Sequence, residues 1–151
     1  MSKPKPAAEV TIGLELISTL LREFVPELAG ESIVHHSSGW DNEIHRIGNH
    51  HAIRLPRRKL AAELIEHEQR WLPELAPKLA LPIPDPVYAG HGAFGYPWSW
   101  SVVPWLPGVP LAHSPALDQD DLIADLAGFM NALHVPADDE APHNPFRGVP
   151  L

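Results

Sequence analysis

One charged residue falls within what is otherwise the apolar face of a predicted helix. Residues 60–72, LAAELIEHEQRWL, have helical spacing, and at about 100° per residue Glu68 projects into the middle of an apolar arc of about 140°. The apolar members of that arc are Leu60, Ala61, Leu64, Ile65, Trp71 and Leu72. The polar positions assigned to the opposite side are Glu63, Glu66, Gln69 and Arg70. Because a carboxylate facing a core costs several kcal/mol unless it is paired or protonated, the fold has to provide Glu68 with a partner.

A short strand upstream offers that partner. Residues 51–55, HAIRL, alternate so that Ile53 and Leu55 share one face and Ala52 and Arg54 share the other. A strand cation paired with a helix carboxylate farther along the chain is the arrangement by which kinases hold nucleotide phosphates. The letters HAIR have the layout of the V-A-I-K strand, with Arg in place of Lys. Two structural alternatives stay open, namely an ordinary salt bridge within the domain and a Glu68 that reaches solvent at the helix edge.

The remaining pattern predicts further helices and strands around this pair. A helix ending before Pro26 is predicted from the spacing of Leu14, Ile17, Leu20, Leu21 and Phe24. Strands are predicted over residues 32–37, 43–47, 51–55, 87–89 and 98–105, with a hairpin turn at Gly48-Asn49. Pro73 is expected to break the second helix or to start a new turn. Ser114-Pro115 is typical of the start of a helix, and that helix is indicated by Leu122, Ile123, Leu126, Met130 and Leu133.

The order of these elements predicts an α+β fold like the small lobe of a protein kinase. We expect a five-stranded antiparallel sheet with an αC-like helix and an N-terminal helix, followed by a hinge and one or two helices of a truncated large lobe. The predicted division is a disordered N-terminus over residues 1–10, a nucleotide-binding lobe over 11–106, and the hinge exit with the first helical part of the large lobe over 107–151.

Composition excludes several classes of function. The formal net charge is −8, and the longest basic cluster is Arg57-Arg58-Lys59, which argues against nonspecific nucleic-acid binding. The absence of cysteine excludes disulfides and thiol chemistry. His67-Glu68 begins like the zinc-protease helix motif, but Trp71 stands where the second His belongs, so we predict no metal site. No apolar run is long enough to span a membrane and no signal-peptide core is visible, so we expect a cytoplasmic protein without a membrane partner.

Five segments in fixed order resemble the aminoglycoside phosphotransferase family, close to its macrolide-phosphotransferase-like branch. They are SSGWDNEIHRIG, AIRLPRR, EHEQRWLPELAPKLALPIPDP, GYPWSWSVVPWLPG and ALHVPAD with HNPFRGVPL, and they span about residues 32–151. The resemblance implies that Ser37, Ser38 and Gly39 form the loop over the nucleotide phosphates, where hydroxyls and backbone N–H groups suit anionic oxygens. A β-turn without a ligand is the alternative for this loop.

The resemblance also implies where the nucleotide lies. Ala52 would pack on the adenine face, and Arg54, steadied by Glu68, would hold the α and β phosphates. Since Arg is a planar fork and Lys a point charge, the phosphate geometry could differ from that of the family. Val103 would lie at the back of the base pocket, and the hinge would be formed by Pro104, Trp105 and Leu106. As an alternative, Val103 is only a core residue of its strand.

The catalytic part of the family pattern is not found in these residues. Catalysis in the family uses an H-x-D-x-x-x-x-N loop and a later Asp-led metal motif, and no H-x-D occurs here. We therefore predict the nucleotide-binding part of a small-molecule kinase that transfers the γ-phosphate of ATP or GTP to a hydroxyl acceptor, with Mg²⁺ held by a missing lobe and no catalytic residue in this chain. Alone it is expected to be inactive. The alternative is a non-catalytic lobe that pairs with a partner, or self-associates, through the apolar side of residues 122–133.

Overall fold

The computed structural model describes residues 5–110, 113 and 119–142. These residues form a five-stranded antiparallel sheet with helices, which confirms the predicted fold class. In chain order the elements are helix α1 (Leu14–Phe24), strands β1 (Ile33–Ser38), β2 (Asn42–Ile47) and β3 (His51–Pro56), helix α2 (Lys59–Leu75), strands β4 (Tyr88–Gly90) and β5 (Trp100–Pro104), and helix α3 (Gln119–Leu133). Short 3₁₀ turns follow α1 at Pro26–Leu28 and α2 at Ala76–Lys78.

The strands lie in the order β1-β2-β3-β5-β4, and each neighbouring pair is antiparallel. The β2–β3 hairpin pairs Ile47 with His51, and its turn uses Gly48 at φ +54°, in the left-handed region that favours glycine. The β1–β2 register shifts between His35 and Ser37, which leaves the intervening residue as a bulge. This bulge lies immediately before the loop that joins the two strands.

Alternation along the strands gives the sheet two different faces. One face packs against α1, and we call it the α1 face; its buried sheet residues are Ile47, Ile53, Leu55, Trp100 and Val102. The other face lies towards α2, and we call it the Arg54 face; its residues on β2, β3 and β5 are Ile44, Arg46, Ala52, Arg54, Ser101 and Val103. The main apolar core lies between α1 and the sheet.

Helix α1 forms where its apolar spacing predicts. Ile17, Leu20 and Leu21 are fully buried against the sheet. The N–H of Val25 donates to the carbonyl of Leu21 at 2.8 Å, and Pro26 then begins the 3₁₀ turn instead of another helical turn. The predicted helix and its end before the proline are both confirmed.

Helix α2 differs from the prediction in rotation and in length. Its fully buried residues are Ala61 and Ile65, whereas Leu60 is 58% exposed, so the buried face is rotated from the predicted arc towards Gln69. Gln69, assigned to the solvent side, is half-buried against the sheet. The helix also continues through Pro73, which cannot donate to the carbonyl one turn earlier but does not end the helix. Amphipathic spacing alone gave the wrong rotation because two small alanines, not the leucine, allow close approach to the sheet.

Beyond the sheet, α3 carries exposed apolar side chains. Ile123 and Leu126 are more than half exposed, and Leu133 is partly buried. The predicted helix start at Ser114-Pro115 lies outside the described residues.

Parts of the N-terminal segment contact the lobe where it is described. Lys5 Nζ donates to the carbonyl of Ser38 at 2.6 Å, and the N–H of Glu9 donates to the carbonyl of Arg57 at 2.9 Å. The carboxylate of Glu9 also accepts from the N–H of Lys59 at 2.9 Å, which satisfies a free donor at the start of α2. Across the described residues, no helix is both long and apolar enough to cross a membrane.

Candidate functional site

The predicted partner of Glu68 is Arg54, and the two side chains form a two-point contact. Arg54 Nη2 donates to Glu68 Oε1 at 3.1 Å, and Arg54 Nη1 lies 2.7 Å from Glu68 Oε2. Arg54 projects from the middle of β3, and Glu68 faces it from α2. The side chains are 17% and 29% exposed, so the pair is largely withdrawn from water but open at one side. This geometry is the bidentate fork that only arginine can offer to a carboxylate.

The Arg54 guanidinium retains N–H donors for another ligand. Each of the two terminal nitrogens that contact Glu68 carries a second hydrogen. Within the described residues, Arg54 Nε is buried and has no hydrogen-bond partner. Burial raises the pKa of Glu68 above its ordinary value, and the Arg54 charge and hydrogen bond offset only part of that effect.

Cross-strand rows on the Arg54 face bring several predicted residues together. Ser37, Ile44, Arg54 and Ser101 are successive partners across β1, β2, β3 and β5. Ala52 is paired with Val103 in the next row on the same face. The predicted phosphate and base contacts thus lie on one side of the sheet in adjacent rows.

Trp105 covers part of this face. Its ring lies 4.7 Å from the ring of His36 on β1, in an edge-to-face contact, and the Arg46 guanidinium on β2 lies 5.2 Å from the ring centroid. Because β2 and β3 separate β1 from β5, this contact bridges across the sheet. Ala52 and Val103 are only 3% and 4% exposed. A flat ligand would therefore reach these two residues only if a neighbouring side chain moved.

The segment after β5 has an alternating backbone pattern. The N–H of Trp105 donates to the carbonyl of His50 at 2.7 Å, which extends the β3–β5 ladder by one residue. Hydrogen-bonding groups alternate in direction along an antiparallel strand, so the backbone groups of Pro104 and Leu106 point away from β3. Leu106 is exposed. These two residues could offer a carbonyl and an N–H to a ligand at the strand edge.

The last two residues of β1, Ser37 and Ser38, face opposite sides of the sheet. Ser37 pairs with Ile44 on the Arg54 face, whereas Ser38 pairs with Glu43. The Ser38 hydroxyl donates to Glu43 Oε2 at 3.2 Å and shares a 2.9 Å hydrogen bond with His35 Nε2. The structure therefore brings Ser37 into the row of Arg54 but directs the Ser38 hydroxyl to the other side.

Arg57 and Arg58 hold the loop between β1 and β2. Neither residue was predicted from the sequence to belong to the site. Arg57 Nη1 donates to the carbonyl of Gly39 at 2.7 Å, and Arg58 Nη2 donates to Asp41 Oδ1 at 3.0 Å. Arg58 Nε also donates to the carbonyl of Trp40 at 3.3 Å. The signal in the sequence was the basic cluster after β3, which was considered only as a nucleic-acid contact. The hairpin brings the end of β3 beside the start of β2 and so makes this cluster a loop anchor.

Glu43 is a second residue that the sequence did not single out. Its Oε1 lies 3.5 Å from His45 Nε2 and 3.6 Å from His35 Nε2, and its Oε2 lies 3.7 Å from Arg57 Nε. Burial lowers the pKa of His45, the neighbouring His35 lowers it further, and Glu43 opposes both effects. Both ring nitrogens of His45 lack a hydrogen-bond partner within the described residues. This cluster lies behind the loop, on the side away from Arg54.

The described residues do not provide a magnesium site. No three His, Asp or Glu side chains in that part of the chain come together in a metal-binding group. The carboxylate of Glu68 is already bound to Arg54.

Comparisons with known proteins agree with the fold. The model of the phosphotransferase enzyme family, APH, matches residues 32–147. The chain is similar to the GDP and kanamycin complex of APH(2")-IIia, with a TM-score of 0.69 and 25% identity, covering 80% of this chain and 41% of that chain. It is also similar in fold to the GDP complex of wild-type aminoglycoside 2'-phosphotransferase-IIIa, with a TM-score of 0.71 and 24% identity, covering 82% and 42%. No curated protein matches the chain. The chain spans about two fifths of the length of these two solved structures.

Proposed function

The chain belongs to the phosphotransferase enzyme family, and on that premise we propose that it forms the nucleotide-binding lobe of a small-molecule kinase. The reaction we propose for the whole protein is transfer of the γ-phosphoryl group of ATP or GTP to a hydroxyl of a small molecule. The observation that carries the proposal is the two-point contact of Arg54 with Glu68 at 2.7 and 3.1 Å. An Arg–Glu pair in this strand-and-helix setting suits the α and β phosphates of a nucleotide.

Arg54 would bind the phosphates while Glu68 holds the guanidinium in place. Two of the guanidinium nitrogens bind the carboxylate through one hydrogen each, so a second hydrogen on each of them remains to donate to a phosphate. A side chain held by packing and by a carboxylate loses little entropy when it binds an anion, which favours binding. A partly buried position also strengthens the attraction, since less water screens it.

The base would lie against Ala52 and Val103, with the strand edge after β5 reading its polar groups. The Pro104 carbonyl would accept from the base and the Leu106 N–H would donate to it, because both point away from β3. We propose that the Trp105 ring leaves its contact with His36 when the base binds. Nucleotide binding should therefore change the environment of Trp105.

The loop Ser37–Gly39 would cover the phosphates with backbone N–H groups and the Ser37 hydroxyl. Arg57 and Arg58 would contribute by holding the loop, not by direct contact, since their guanidinium groups already bind loop oxygens. The Ser38 hydroxyl, which was expected to face the phosphates, is bound to Glu43 and His35. We propose that Ser38 acts through its backbone.

The acceptor and the transfer step are proposals for the whole protein. The similar structure of APH(2")-IIia is a complex with GDP and kanamycin. No H-x-D motif occurs among these 151 residues, so a residue that orients the acceptor hydroxyl and the ligands of Mg²⁺ are not assigned here. The placement in the macrolide-phosphotransferase-like branch also stays a prediction. We propose a cytoplasmic location, where ATP and GTP are available.

Thermal unfolding with separate Mg-ATP and Mg-GTP titrations tests the proposal. Because a ligand that binds only the folded state raises its stability, we expect a concentration-dependent rise in Tm for the unmodified chain with at least one nucleotide. Arg54→Ala and Glu68→Ala should lose that rise. Arg70→Ala is the matched control, since Arg70 forms an exposed ion pair with Glu74 on the same helix. This variant should keep the nucleotide-dependent rise in Tm. Equal nucleotide-dependent shifts in all four proteins would contradict the assignment of Arg54 and Glu68.

A second candidate is a non-catalytic lobe that pairs with a partner chain. It is favoured by Ile123 and Leu126, which are exposed on α3. Exposed apolar clusters often mark interaction surfaces. Sedimentation of the purified chain over a wide concentration range separates the candidates: self-association that Leu126→Lys abolishes, with no nucleotide-dependent shift, would favour this second candidate.

A further inference from the structure

Gln69 joins α2 to the start of β5 through one amide group. Its Nε2 donates to the carbonyl of Trp100 at 2.8 Å and to the Ser101 hydroxyl oxygen at 3.1 Å, and the carbonyl of Gly90 lies 3.5 Å away. The two short contacts use both hydrogens of the amide. The side chain is half-buried between the helix and the sheet.

The carbonyl that Gln69 binds lies at the end of the β4–β5 ladder. The last paired residues of that ladder are Gly90 and Trp100, and the Gln69 amide nitrogen is within 3.5 Å of the carbonyl oxygen of each. A carbonyl oxygen can accept two hydrogen bonds, and Gln69 adds a donor from the helix. The contact is therefore specific in position: it fixes one residue of α2 against one residue of β5.

Consecutive residues of α2 thus bind paired residues of the sheet. Glu68 binds Arg54, and Gln69 binds Ser101, which is the cross-strand partner of Arg54. One turn earlier, Glu66 Oε1 accepts from the Ser99 hydroxyl at 3.1 Å. Neighbouring helix residues differ by about 100° in direction, so two such contacts at adjacent positions define the rotation of the helix as well as its height on the sheet.

We propose that Gln69 is a positioning residue that acts through Glu68 on Arg54. By fixing the rotation of α2, Gln69 keeps the Glu68 carboxylate aligned with the guanidinium before any nucleotide is bound. The Arg54–Glu68 contact is then a constant feature of the lobe instead of one formed on activation by movement of the helix. The effect on nucleotide binding rests on the proposed function; the effect on the Arg54–Glu68 contact does not.

The test compares Gln69→Met with Ile65→Val in two measurements. Methionine keeps the length of the side chain and removes its amide. Ile65→Val is the matched control, because it weakens packing of the same helix, at a fully buried residue, but keeps the Gln69 contacts. Both proteins are measured well below their unfolding temperatures, so that reduced stability alone does not change the result.

The first measurement is a double-mutant cycle on stability with Arg54→Met and Glu68→Gln, made in each background. We expect a favourable coupling in the unmodified chain and in Ile65→Val, and its loss in Gln69→Met. The proposal is overturned if the coupling is the same in Gln69→Met as in the unmodified chain, if Ile65→Val loses it equally, or if the unmodified chain has none.

The second measurement is the Kd for Mg-GDP and Mg-ADP. Gln69→Met should raise the Kd about 10-fold, the scale at which contacting residues couple, and Ile65→Val should leave it unchanged. An unchanged Kd in Gln69→Met, with tight binding to the unmodified chain, would contradict the positioning role. If the unmodified chain binds neither nucleotide, the proposed function fails, and the double-mutant cycle decides the role of Gln69 by itself.

Discussion

The two faces of the sheet are built on opposite principles. The centre of the α1 face is apolar and closed: Ile53, Trp100 and Val102 are fully buried against α1. The Arg54 face carries a cation and a carboxylate, and its pair is still partly exposed at 17% and 29%. Burial of apolar area stabilises the fold at about 25 cal/mol per Å², whereas half-buried charges contribute little net stability. One face therefore holds the lobe together, and the other is free to carry a binding site.

The raised pKa of Glu68 also distinguishes the Arg54 face from the α1 face. It is raised by burial despite the neighbouring guanidinium, which means that the folded protein pays a desolvation cost to keep this charge. Such a cost at one position, beside a donor without a partner, is typical of a binding site. Substitutions on the two faces should accordingly separate stability from binding.

The largest loss of stability is expected for a substitution on the α1 face. Trp100 is fully buried, contacts Phe24 and Tyr88, and donates from Nε1 to the carbonyl of His91 at 2.9 Å. Trp100→Ala should lower the free energy of unfolding by about 3–5 kcal/mol, since it leaves a large cavity. Urea unfolding measures this loss. Trp40, on the exposed loop, is the matched control, and Trp40→Ala should change stability by less than about 0.5 kcal/mol. Similar losses of stability in Trp100→Ala and Trp40→Ala would contradict the view that the α1 face stabilises the lobe.

An intermediate loss of stability is expected for substitutions on the Arg54 face. Its size should depend on whether only Glu68 is replaced or both Arg54 and Glu68. Glu68→Gln leaves a partly buried cation without its carboxylate and should lower stability by about 1–3 kcal/mol. Replacing both, with Arg54→Met and Glu68→Met, should return stability close to that of the unmodified chain while nucleotide binding is lost. Urea unfolding and a nucleotide titration on the same samples test this. A double variant much less stable than Glu68→Gln would show that the pair is a structural element of the core.

The smallest expected effects are two pH dependences of the free energy of unfolding, which have opposite signs. The pKa of His45 is lowered from 6.5, so below that pH the unfolded chain binds a proton that the folded chain does not, and stability should fall as the pH falls. The pKa of Glu68 is raised from 4.5, so just above that pH the folded chain binds more protons, and stability should fall as the pH rises. Each slope is at most about 1.4 kcal/mol per pH unit.

The variants His45→Gln and Glu68→Gln assign these slopes. Removing His45 should flatten the profile below pH 6.5, and removing Glu68 should flatten it above pH 4.5. Unfolding free energies at closely spaced pH values provide the measurement. The assignment is wrong if His45→Gln retains the full acid slope.

The parts of the lobe that the sequence predicted are those set by local patterns. Helix α1 follows from apolar spacing and Pro26, and the β2–β3 hairpin follows from Gly48. The contact of Arg54 with Glu68 follows from a simple requirement: a carboxylate within an apolar arc needs a partner, and the adjacent strand offered one.

The parts that the sequence did not predict depend on fit between elements. The rotation of α2 is set by close packing of Ala61 and by the amide of Gln69, so Leu60, the more apolar residue, is exposed. The loop anchors Arg57 and Arg58 could not be assigned from spacing, because they reach residues 17 and 18 positions earlier through the hairpin. A helical wheel shows only the directions of side chains around one helix. It therefore predicts neither how closely α2 approaches the sheet nor which loop residues Arg57 and Arg58 contact.

The central claim is that Arg54, held by Glu68, binds the phosphates of a nucleotide, and NMR of the Arg54 side chain during a GDP and ADP titration tests it most directly. We predict that the Arg54 side-chain N–H signals shift as the site is filled, because the guanidinium gains a phosphate partner beside Glu68. The Arg70 Nε–H signal, from an exposed ion pair, should remain in place. Saturable nucleotide binding that leaves the Arg54 signal unchanged would contradict the account.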